Sequence, residues 1–351
     1  MHFDPKFYEA RALSYVARSF GAPVCCNILE PDFTKPLDQR PEVDGWLEMG
    51  GQLWAIEIKS HPLVKADLER IATRYRHLKY ERLKIIAPAI APWHGNGQIK
   101  VECIEYRPEL APIFEFYATY EPALSPRLEQ ELESGKHHFR YRMARRARGA
   151  NVRFRNQTDK RIKSISDLRH EITRRMRADN PPVRIYWSVG RWLSPKDLYF
   201  KGRRKLNLYL GGMMVFDIDG PTIHKPMMDC FLPPGGEICP FCFQFSKFHA
   251  RRLISFLREK GFREIECVFS GRQGFHIYLF DSPAEEAARR RLVAEIRSAR
   301  IRIDRPVTAH REGLIAFPTS LHACSMTRSA LVEDLDGFSL EMAQEQLSYQ
   351  I

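Results

Sequence analysis

The sequence predicts a mixed α/β (α+β) fold divided between two domains, and three observations lead to this prediction. The chain has 351 residues, 44% of them hydrophobic, which is enough to build two cores of ordinary domain size. Short apolar runs with the alternation of strands recur along the chain, and amphipathic helical segments lie between them. Prolines interrupt residues 107–135, between the two series of elements. We therefore predict one domain at residues 1–120 and a second at residues 121–351.

The first domain begins with a helical segment whose apolar positions share one face and which ends before Gly21. Gly50 and Gly51 are typical of a tight turn, and the runs on either side alternate as the two strands of a hairpin do. The predicted helices are residues 5–20 and 63–83, and the predicted strands are residues 23–29, 42–49, 52–59, 84–88 and 98–105.

The second domain is predicted to combine strands with helices that cover them. Ser166 is a favourable N-cap for a helix that stops before Pro181, and Gly261 is a good terminator for another. The predicted helices are residues 127–134, 166–177, 246–260, 283–300 and a last one from residue 334, and the predicted strands are residues 183–189, 213–219, 266–269, 275–280 and 301–304.

The strand at residues 213–219 ends in two acids, Asp217 and Asp219, that are one residue apart. Side chains alternate along a strand, so both carboxylates are expected on the same face. A divalent cation that prefers oxygen ligands is the usual reason for such a pair, although a strand end that merely reaches water gives the same pattern.

Three further features follow the acid pair. The loop at residues 270–276, between two strand-like runs, has two glycines that allow close backbone approach to a ligand. Ser270, Arg272 and His276 in this loop are donors suited to phosphate. Asp304 ends another apolar run, and His322 follows it. Three carboxylates and two histidines are the groups that two-metal phosphoryl or nucleotidyl transfer requires.

Cysteines between the acid pair and this loop have the spacing of a zinc knuckle, which we place at residues 224–242. The predicted zinc ligands are Cys230, Cys239, Cys242 and, as the fourth, His224, with Asp229 as the alternative to His224. The remaining five cysteines are expected to be buried thiols.

This ordered set resembles the catalytic small subunit of the archaeo-eukaryotic primase superfamily. Four motifs of that family are found in order in this sequence. They are an apolar strand with D-x-D at 216–219, S-G-x-x-G-x-H at 270–276, an apolar-flanked acid at Asp304 and P-x-S-L-H at 318–322. The predicted zinc knuckle lies between the first two motifs, as it does in the family. The resemblance covers roughly residues 136–327. It implies an RRM-like catalytic sheet, Mg²⁺ or Mn²⁺ held by the three acids, and a triphosphate held by Ser270, Arg272, His276 and His322.

Two positions depart from that family's pattern. Ala316 stands where a basic residue is usual shortly before the proline, and Cys324 stands where a lysine usually follows the histidine by two residues. Both cations normally help to hold the triphosphate. Arg311 or Arg328 could supply the missing charge.

The first domain has its own acidic pattern, Asp44 followed by Glu57-Ile-Lys59 across the predicted hairpin. Glu57 and Lys59 share one strand face, where two carboxylates can bind Mg²⁺ or Mn²⁺ and the lysine can stabilise phosphate charge. A surface ion pair is the alternative. The pattern and element order resemble the PD-(D/E)xK nuclease superfamily, especially its Holliday-junction-resolvase-like branch, which implies a restriction-endonuclease-like domain and a fourth group, Glu9, on the first helix.

The net charge of +12 is concentrated in one segment. Residues 136–177 contain 15 Lys/Arg and 3 Asp/Glu, a surplus of 12 that equals that of the whole chain. Basic residues interleaved with aromatic ones favour a surface that binds nucleic acid, and a solvated linker is the alternative. The chain lacks an apolar run of membrane-spanning length and a signal-like start, so we expect a cytoplasmic, nucleoid-associated protein.

The sequence therefore predicts a DNA primase or primase-polymerase that uses NTP or dNTP on single-stranded DNA, with an associated metal-dependent DNA nuclease acting on branched, duplex or single-stranded DNA. A primase large subunit, or another replication or repair protein, is a candidate partner. Two alternatives stay open: a nuclease-led repair or defence protein whose primase-like domain mainly binds DNA, and a catalytically weakened binding module.

Overall fold

The computed structural model describes residues 2–3, 5–20, 24–26, 44–49, 51–77, 81–93, 99–105, 107–108, 110–146, 154–156, 161–176, 181–195, 209–220, 238–303, 313–322 and 327–345. The chain forms two compact units. Unit 1 contains Met1–Glu109, Ala144–Arg153 and Thr222–Cys239, and unit 2 contains Leu110–Met143, Phe154–Pro221 and Pro240–Ile351. The predicted domain boundary at residue 120 stays a prediction.

Unit 1 is built on one mixed sheet. Its elements are β1 His2–Phe3, α1 Pro5–Phe20, β2 Val24–Cys26, β3 Gly45–Met49, β4 Gln52–Ile58, α2 Lys65–His77, β5 Arg82–Ala87, β6 Lys100–Glu105 and β8 Arg145–Arg146. The strand order is β2-β3-β4-β5-β6, antiparallel from β2 to β4 and parallel from β4 to β6. Parallel neighbours need a crossover connection, and α2 provides it between β4 and β5. The short strand β1 pairs with β8.

The hairpin β3–β4 forms as predicted, and Gly51 at its turn has a φ of 71°, a conformation that glycine adopts without strain. The helix predicted at residues 63–83 is wrong at its C-terminal end, because α2 ends at His77 and Leu83 already lies in β5. The run Arg82–Ala87 is buried between β4 and β6, and this pairing outweighs its local helical pattern.

Unit 2 contains two four-stranded sheets. Its elements are α3 Ala111–Ala118, α4 Pro126–Glu133, β7 Phe139–Met143, β9 Phe154–Asn156, α5 Ile165–Met176, β10 Pro182–Ser188, β11 Gly190–Trp192, β12 Tyr209–Gly212, β13 Met214–Ile218, α6 Pro240–Glu259, β14 Ile265–Phe269, β15 Phe275–Leu279, α7 Glu286–Ser298, β16 Leu314–Ala316, β17 Ala330–Val332 and α8 Leu340–Glu345. One sheet has the order β16-β10-β7-β9 and the other β13-β15-β14-β17, and all these neighbours are antiparallel.

Three described helices of unit 2, α3, α4 and α6, have a proline in their first turn. The prolines of residues 107–135 are predicted to interrupt long elements, whereas Pro112 lies in the first turn of α3. Proline is tolerated there, because the first N–H groups of a helix have no intrahelical acceptor. Pro240 likewise begins α6, six residues before the predicted start, so Cys242 lies in the first turn of this helix.

Two predictions near the end of the chain are wrong in their described parts. Residues 301–303 form no strand, because the chain is still leaving α7: Arg300 has a φ of 55° and the amide of Ile301 donates to the Ile296 carbonyl at 3.2 Å. The last helix begins at Leu340 and not at residue 334. Within the described ranges we find no helix that is both long enough and apolar enough to span a membrane.

Candidate functional site

The acid pair lies at the end of β13 in unit 2. The neighbouring residues of β13 are buried, whereas the Asp217 side chain keeps 16% of its surface exposed and Asp219, just past the strand, is exposed. An apolar strand therefore fixes the backbone while its end carries two oxygen-rich side chains. Carboxylate oxygens are the ligands that Mg²⁺ and Mn²⁺ prefer, and the use of this pair as cation ligands stays a prediction.

His276 faces the first acid from the neighbouring strand. Asp217 and His276 are direct partners in the β13–β15 pairing, and His276 Nε2 lies 3.5 Å from Asp217 Oδ1. The histidine is 2% exposed, and within the described part of the chain its Nδ1 is buried without a hydrogen-bond partner. Burial lowers the pKa of His276 to about 3, and the positive charge of Arg184 acts in the same direction. The ring is therefore neutral at physiological pH.

The predicted loop between β14 and β15 closes tightly against the acid pair. The amide of Ser270 donates to the Gly274 carbonyl at 2.9 Å, and the amide of Gly274 donates to Ser270 Oγ at 3.2 Å. A Cβ added at Gly274 would lie 2.6 Å from the Ile218 carbonyl oxygen and 3.0 Å from Asp219 Oδ1. Glycine is needed here because the loop backbone touches the end of β13.

His322 belongs to a segment tied to the same loop. Its amide donates to the Thr327 carbonyl at 2.7 Å, and the Thr327 hydroxyl donates to the Gly271 carbonyl. Burial holds the pKa of His322 well below its usual range, and the positive charges of Arg184 and Arg272 lower it further. Ser270, Arg272, His276 and His322 thus lie around one part of unit 2, and their role in binding a triphosphate stays a prediction.

Two arginines that the sequence analysis did not single out also belong here. Arg142 on β7 and Arg184 on β10 are direct cross-strand partners, and both depress the pKa of His322. The alternation of basic and apolar residues in these strands could have placed each arginine on one sheet face. Their pairing depends on a register that the sequence does not reveal.

Several predicted groups lie outside the described residues. Asp304 and Arg311 are among them, so the third acid of the site stays a prediction. Arg328 is described, and its guanidinium donates to the Glu121 carbonyl at 3.1 Å. Among the described residues no group of three or more His, Cys, Asp or Glu side chains is arranged to hold a metal ion.

The predicted zinc set is also incomplete in the described residues, because His224, Asp229 and Cys230 fall outside them. Cys239 is buried directly before the first residue of α6. Burial raises the pKa of the Cys242 thiol to about 11, although the charge of Arg272 acts in the opposite direction. The zinc knuckle stays a prediction.

In unit 1 the hairpin brings the second predicted set together. Asp44 Oδ2 accepts a hydrogen bond from the Ile58 amide at 2.6 Å, and Lys59 forms an ion pair with the buried carboxylate of Glu57. Burial raises the pKa of Asp44 to about 6, and the nearby charge of Glu57 adds to the effect. Two close carboxylates and a lysine form one cluster, and its use as a metal site stays a prediction.

Helix α2 adds two side chains that the sequence did not indicate. The Tyr75 hydroxyl donates to Glu57 Oε2 at 2.6 Å, and Arg74 Nη1 lies 3.6 Å from Glu57 Oε1. Glu9 lies on α1, but it does not complete a cluster of three metal ligands with Asp44 and Glu57 in the described structure. Its predicted role stays a prediction.

Comparison with known proteins found curated relatives for part of the chain. The DNA primase small subunit PriS of Thermococcus kodakarensis is 33% identical over 106 residues, which is 29% of this chain and 30% of that protein. The PriS of Pyrococcus furiosus is 32% identical over 145 residues, 40% of this chain and 38% of that protein. In this stretch the chain is homologous to archaeal primase small subunits. It spans about a third of the length of the curated relatives it matches.

No protein-family model matches the chain. Among solved structures, the polymerase domain of Mycobacterium tuberculosis Ligase D in complex with DNA has a TM-score of 0.39 at 16% identity, covering 67% of this chain and 87% of that one. The cyanophage S-2L primase-polymerase domain has a TM-score of 0.33 at 12% identity, covering 64% and 95%.

Proposed function

We propose that unit 2 catalyses template-directed nucleotidyl transfer, as a primase or primase-polymerase acting on single-stranded DNA with NTP or dNTP. One observation carries the proposal: the loop with Ser270 and His276 packs directly against the acids at the end of β13. The acids proposed to bind the metal ions and the side chains proposed to donate hydrogen bonds to phosphate are thereby adjacent, as transfer of a nucleotidyl group requires. Homology to primase small subunits supports the same reading.

The donor set of Asp217 and Asp219, joined by the predicted Asp304, suits Mg²⁺ or Mn²⁺, which prefer carboxylate oxygens. Two such ions, when bound, favour attack by a 3′-hydroxyl and stabilise the pyrophosphate that leaves. The chain itself holds the nucleotide. The Nδ1 of His276 has no hydrogen-bond partner among the described residues and is available to a phosphate oxygen, and Ser270, Arg272 and His322 supply further donors.

The test is primer-free synthesis on single-stranded DNA, with NTP and dNTP supplied separately and with Mg²⁺ or Mn²⁺. Asp217→Asn should lower incorporation by at least about 100-fold, because it weakens a cation ligand where charge develops. Glu333→Gln is the matched control, since Glu333 is an exposed acid of the same unit. Equal incorporation by parent and Asp217→Asn would show that these acids do not catalyse, and unit 2 would then be a binding module.

We propose a second activity for unit 1, metal-dependent DNA cleavage. It is favoured by the cluster of Asp44, Glu57 and Lys59, in which two carboxylates adjoin a lysine at one end of a hairpin. The acids suit Mg²⁺ or Mn²⁺, and the lysine can stabilise negative charge on the phosphate under attack.

Cleavage of single-stranded, duplex and branched DNA tests this activity. Glu57→Gln should abolish cleavage and leave nucleotide incorporation unchanged, whereas Glu48→Gln, an exposed acid on the same sheet, should leave both intact. If neither parent nor control cuts any of these substrates with either metal, the cluster is a structural ion pair.

A further inference from the structure

The sheet β16-β10-β7-β9 of unit 2 has two like charges side by side. Arg184 and Arg142 are opposite each other in an antiparallel pair, where like charges are destabilising. Among the described residues the Nε of Arg184 is buried without a hydrogen-bond partner, and the guanidinium lies 5.4 Å from the centre of the Tyr186 ring. An anion bound between the two guanidinium groups would remove this repulsion and satisfy the buried donor.

The register also shows what lies beside the pair. Tyr186, two residues after Arg184 and therefore on the same sheet face, is opposite Ala316 on β16. Ala316 is thus a diagonal neighbour of Arg184, about 7–8 Å away across the strands, within the reach of long side chains. This is the position at which the resemblance to the primase superfamily predicts a basic residue.

Hydrogen bonds hold the histidine segment next to the same strand. The Ile185 carbonyl accepts from the amide of Phe317 at 2.8 Å and from Ser320 Oγ at 3.4 Å. His322 follows two residues later and is affected by the charge of both arginines. The arginine pair, this histidine and the loop at residues 270–274 therefore border one region.

We propose that Arg142 and Arg184 bind the triphosphate of the incoming nucleotide and provide the positive charge that Ala316 and Cys324 do not. The inference rests on the proposed nucleotidyl transfer by unit 2 and deepens it. Arginine suits the role, because its planar guanidinium can donate two hydrogen bonds to one phosphate while keeping its charge. Arg328, the other described candidate, already donates to the Glu121 carbonyl.

Equilibrium binding to the full-length protein tests the proposal without catalysis. The probes are ATP, dATP, inorganic tripolyphosphate, AMP and a single-stranded oligonucleotide. Arg184→Ala should weaken binding of the three triphosphate-containing probes by roughly 10- to 100-fold, as loss of charged hydrogen bonds does, and should leave AMP and oligonucleotide binding within about 2-fold. Arg142→Ala should act in the same direction.

A charge-relocation variant makes the test specific. Arg184→Ala combined with Ala316→Lys places a cation on the same sheet face and should recover most of the lost affinity. Arg263→Ala is the matched control, an exposed arginine of unit 2 outside this sheet. Thermal unfolding should show Arg184→Ala to be at least as stable as the parent, because a like-charge pair is removed.

The outcomes separate this inference from the function on which it rests. If the parent incorporates nucleotide and both arginine variants bind triphosphate normally, the proposed role of the arginines is wrong and the proposed nucleotidyl transfer stands. Loss of oligonucleotide binding with unchanged triphosphate binding overturns that role too, since the pair would then bind a DNA phosphate. A parent that neither binds triphosphate nor incorporates nucleotide overturns both proposals. If Arg184→Ala does not fold, Arg184→Gln and Arg142→Ala decide the question.

Discussion

Gly274 shows how one residue can join two motifs. Its backbone lies so near the end of β13 that a methyl group would meet the Ile218 carbonyl oxygen at 2.6 Å. The Ile218 carbonyl oxygen belongs to the main chain and not to a mobile side chain, so an added Cβ must displace main chain. The distance between the acid pair and the phosphate-binding loop therefore depends on the absence of a side chain at this position.

Gly274→Ala should lower the free energy of unfolding by about 1–3 kcal/mol, as overpacking does. Incorporation should fall by a larger factor than this instability explains, because the loop moves away from Asp219. The measurements are denaturant unfolding and nucleotide incorporation at a temperature where the variant is folded. Gly337→Ala is the control, since its Cβ would meet chiefly the side chain of Asp334, which can rotate away. An alanine variant with normal synthesis would mean that the close approach is not needed.

At the scale of the element, α2 both crosses between parallel strands and supports the acidic cluster of unit 1. It packs on the sheet through Leu68, Ile71 and Ala72, which belong to one buried core. From the last turn of the helix, Tyr75 reaches the carboxylate of Glu57. The helix thus fixes the orientation of an acid that lies on β4.

Tyr75→Phe should remove this hydrogen bond and leave a buried carboxylate oxygen with one donor fewer. We expect the free energy of unfolding to fall by about 1–3 kcal/mol, the usual cost of an unsatisfied buried group. DNA cleavage should fall as well, because Glu57 loses its fixed orientation. Denaturant unfolding and a cleavage assay measure the two effects, with the half-buried Tyr186 of unit 2, changed to Phe, as the control. Unchanged cleavage would assign Tyr75 a purely structural role.

The elements that carry the acids and the loop could be predicted because their signals are local. The run before Asp217 is apolar, and the runs on both sides of residues 270–274 alternate as buried strands do. The donors Arg74 and Tyr75 of α2 could not be predicted, because a periodic sequence pattern does not indicate which sheet residue a helical side chain will contact. The Arg142–Arg184 pair could not be predicted for a similar reason, because the register between β7 and β10 is a property of the tertiary structure.

At the scale of the whole molecule, the excess charge lies in one segment, residues 136–177, within a chain of net charge +12. Described members of this segment include the exposed Arg161 and Lys163. Cations that neutralise DNA phosphates release condensed counterions, so binding through this surface must weaken as salt rises.

Single-stranded DNA binding should therefore fall linearly with salt on logarithmic axes. Changing both Arg161 and Lys163 to Gln should reduce the magnitude of that slope by roughly 1.4, about 0.7 for each DNA phosphate that the protein no longer neutralises. Fluorescence anisotropy across a salt series measures it. Arg263 and Arg297, exposed cations of unit 2 outside the segment, provide a control pair with the same change in net charge. An equal reduction from the control pair would contradict a localised DNA surface.

The pairing of β1 with β8 has a consequence for how the protein is made and dissected. His2 is the partner of Arg146, so β1 has no partner until more than 140 further residues have been synthesised. Unit 1 also includes Thr222–Cys239, which is made later still. A fragment cut after the first hundred residues would leave β1 unpaired. The two proposed activities are therefore better separated by point substitutions in the intact chain than by truncation.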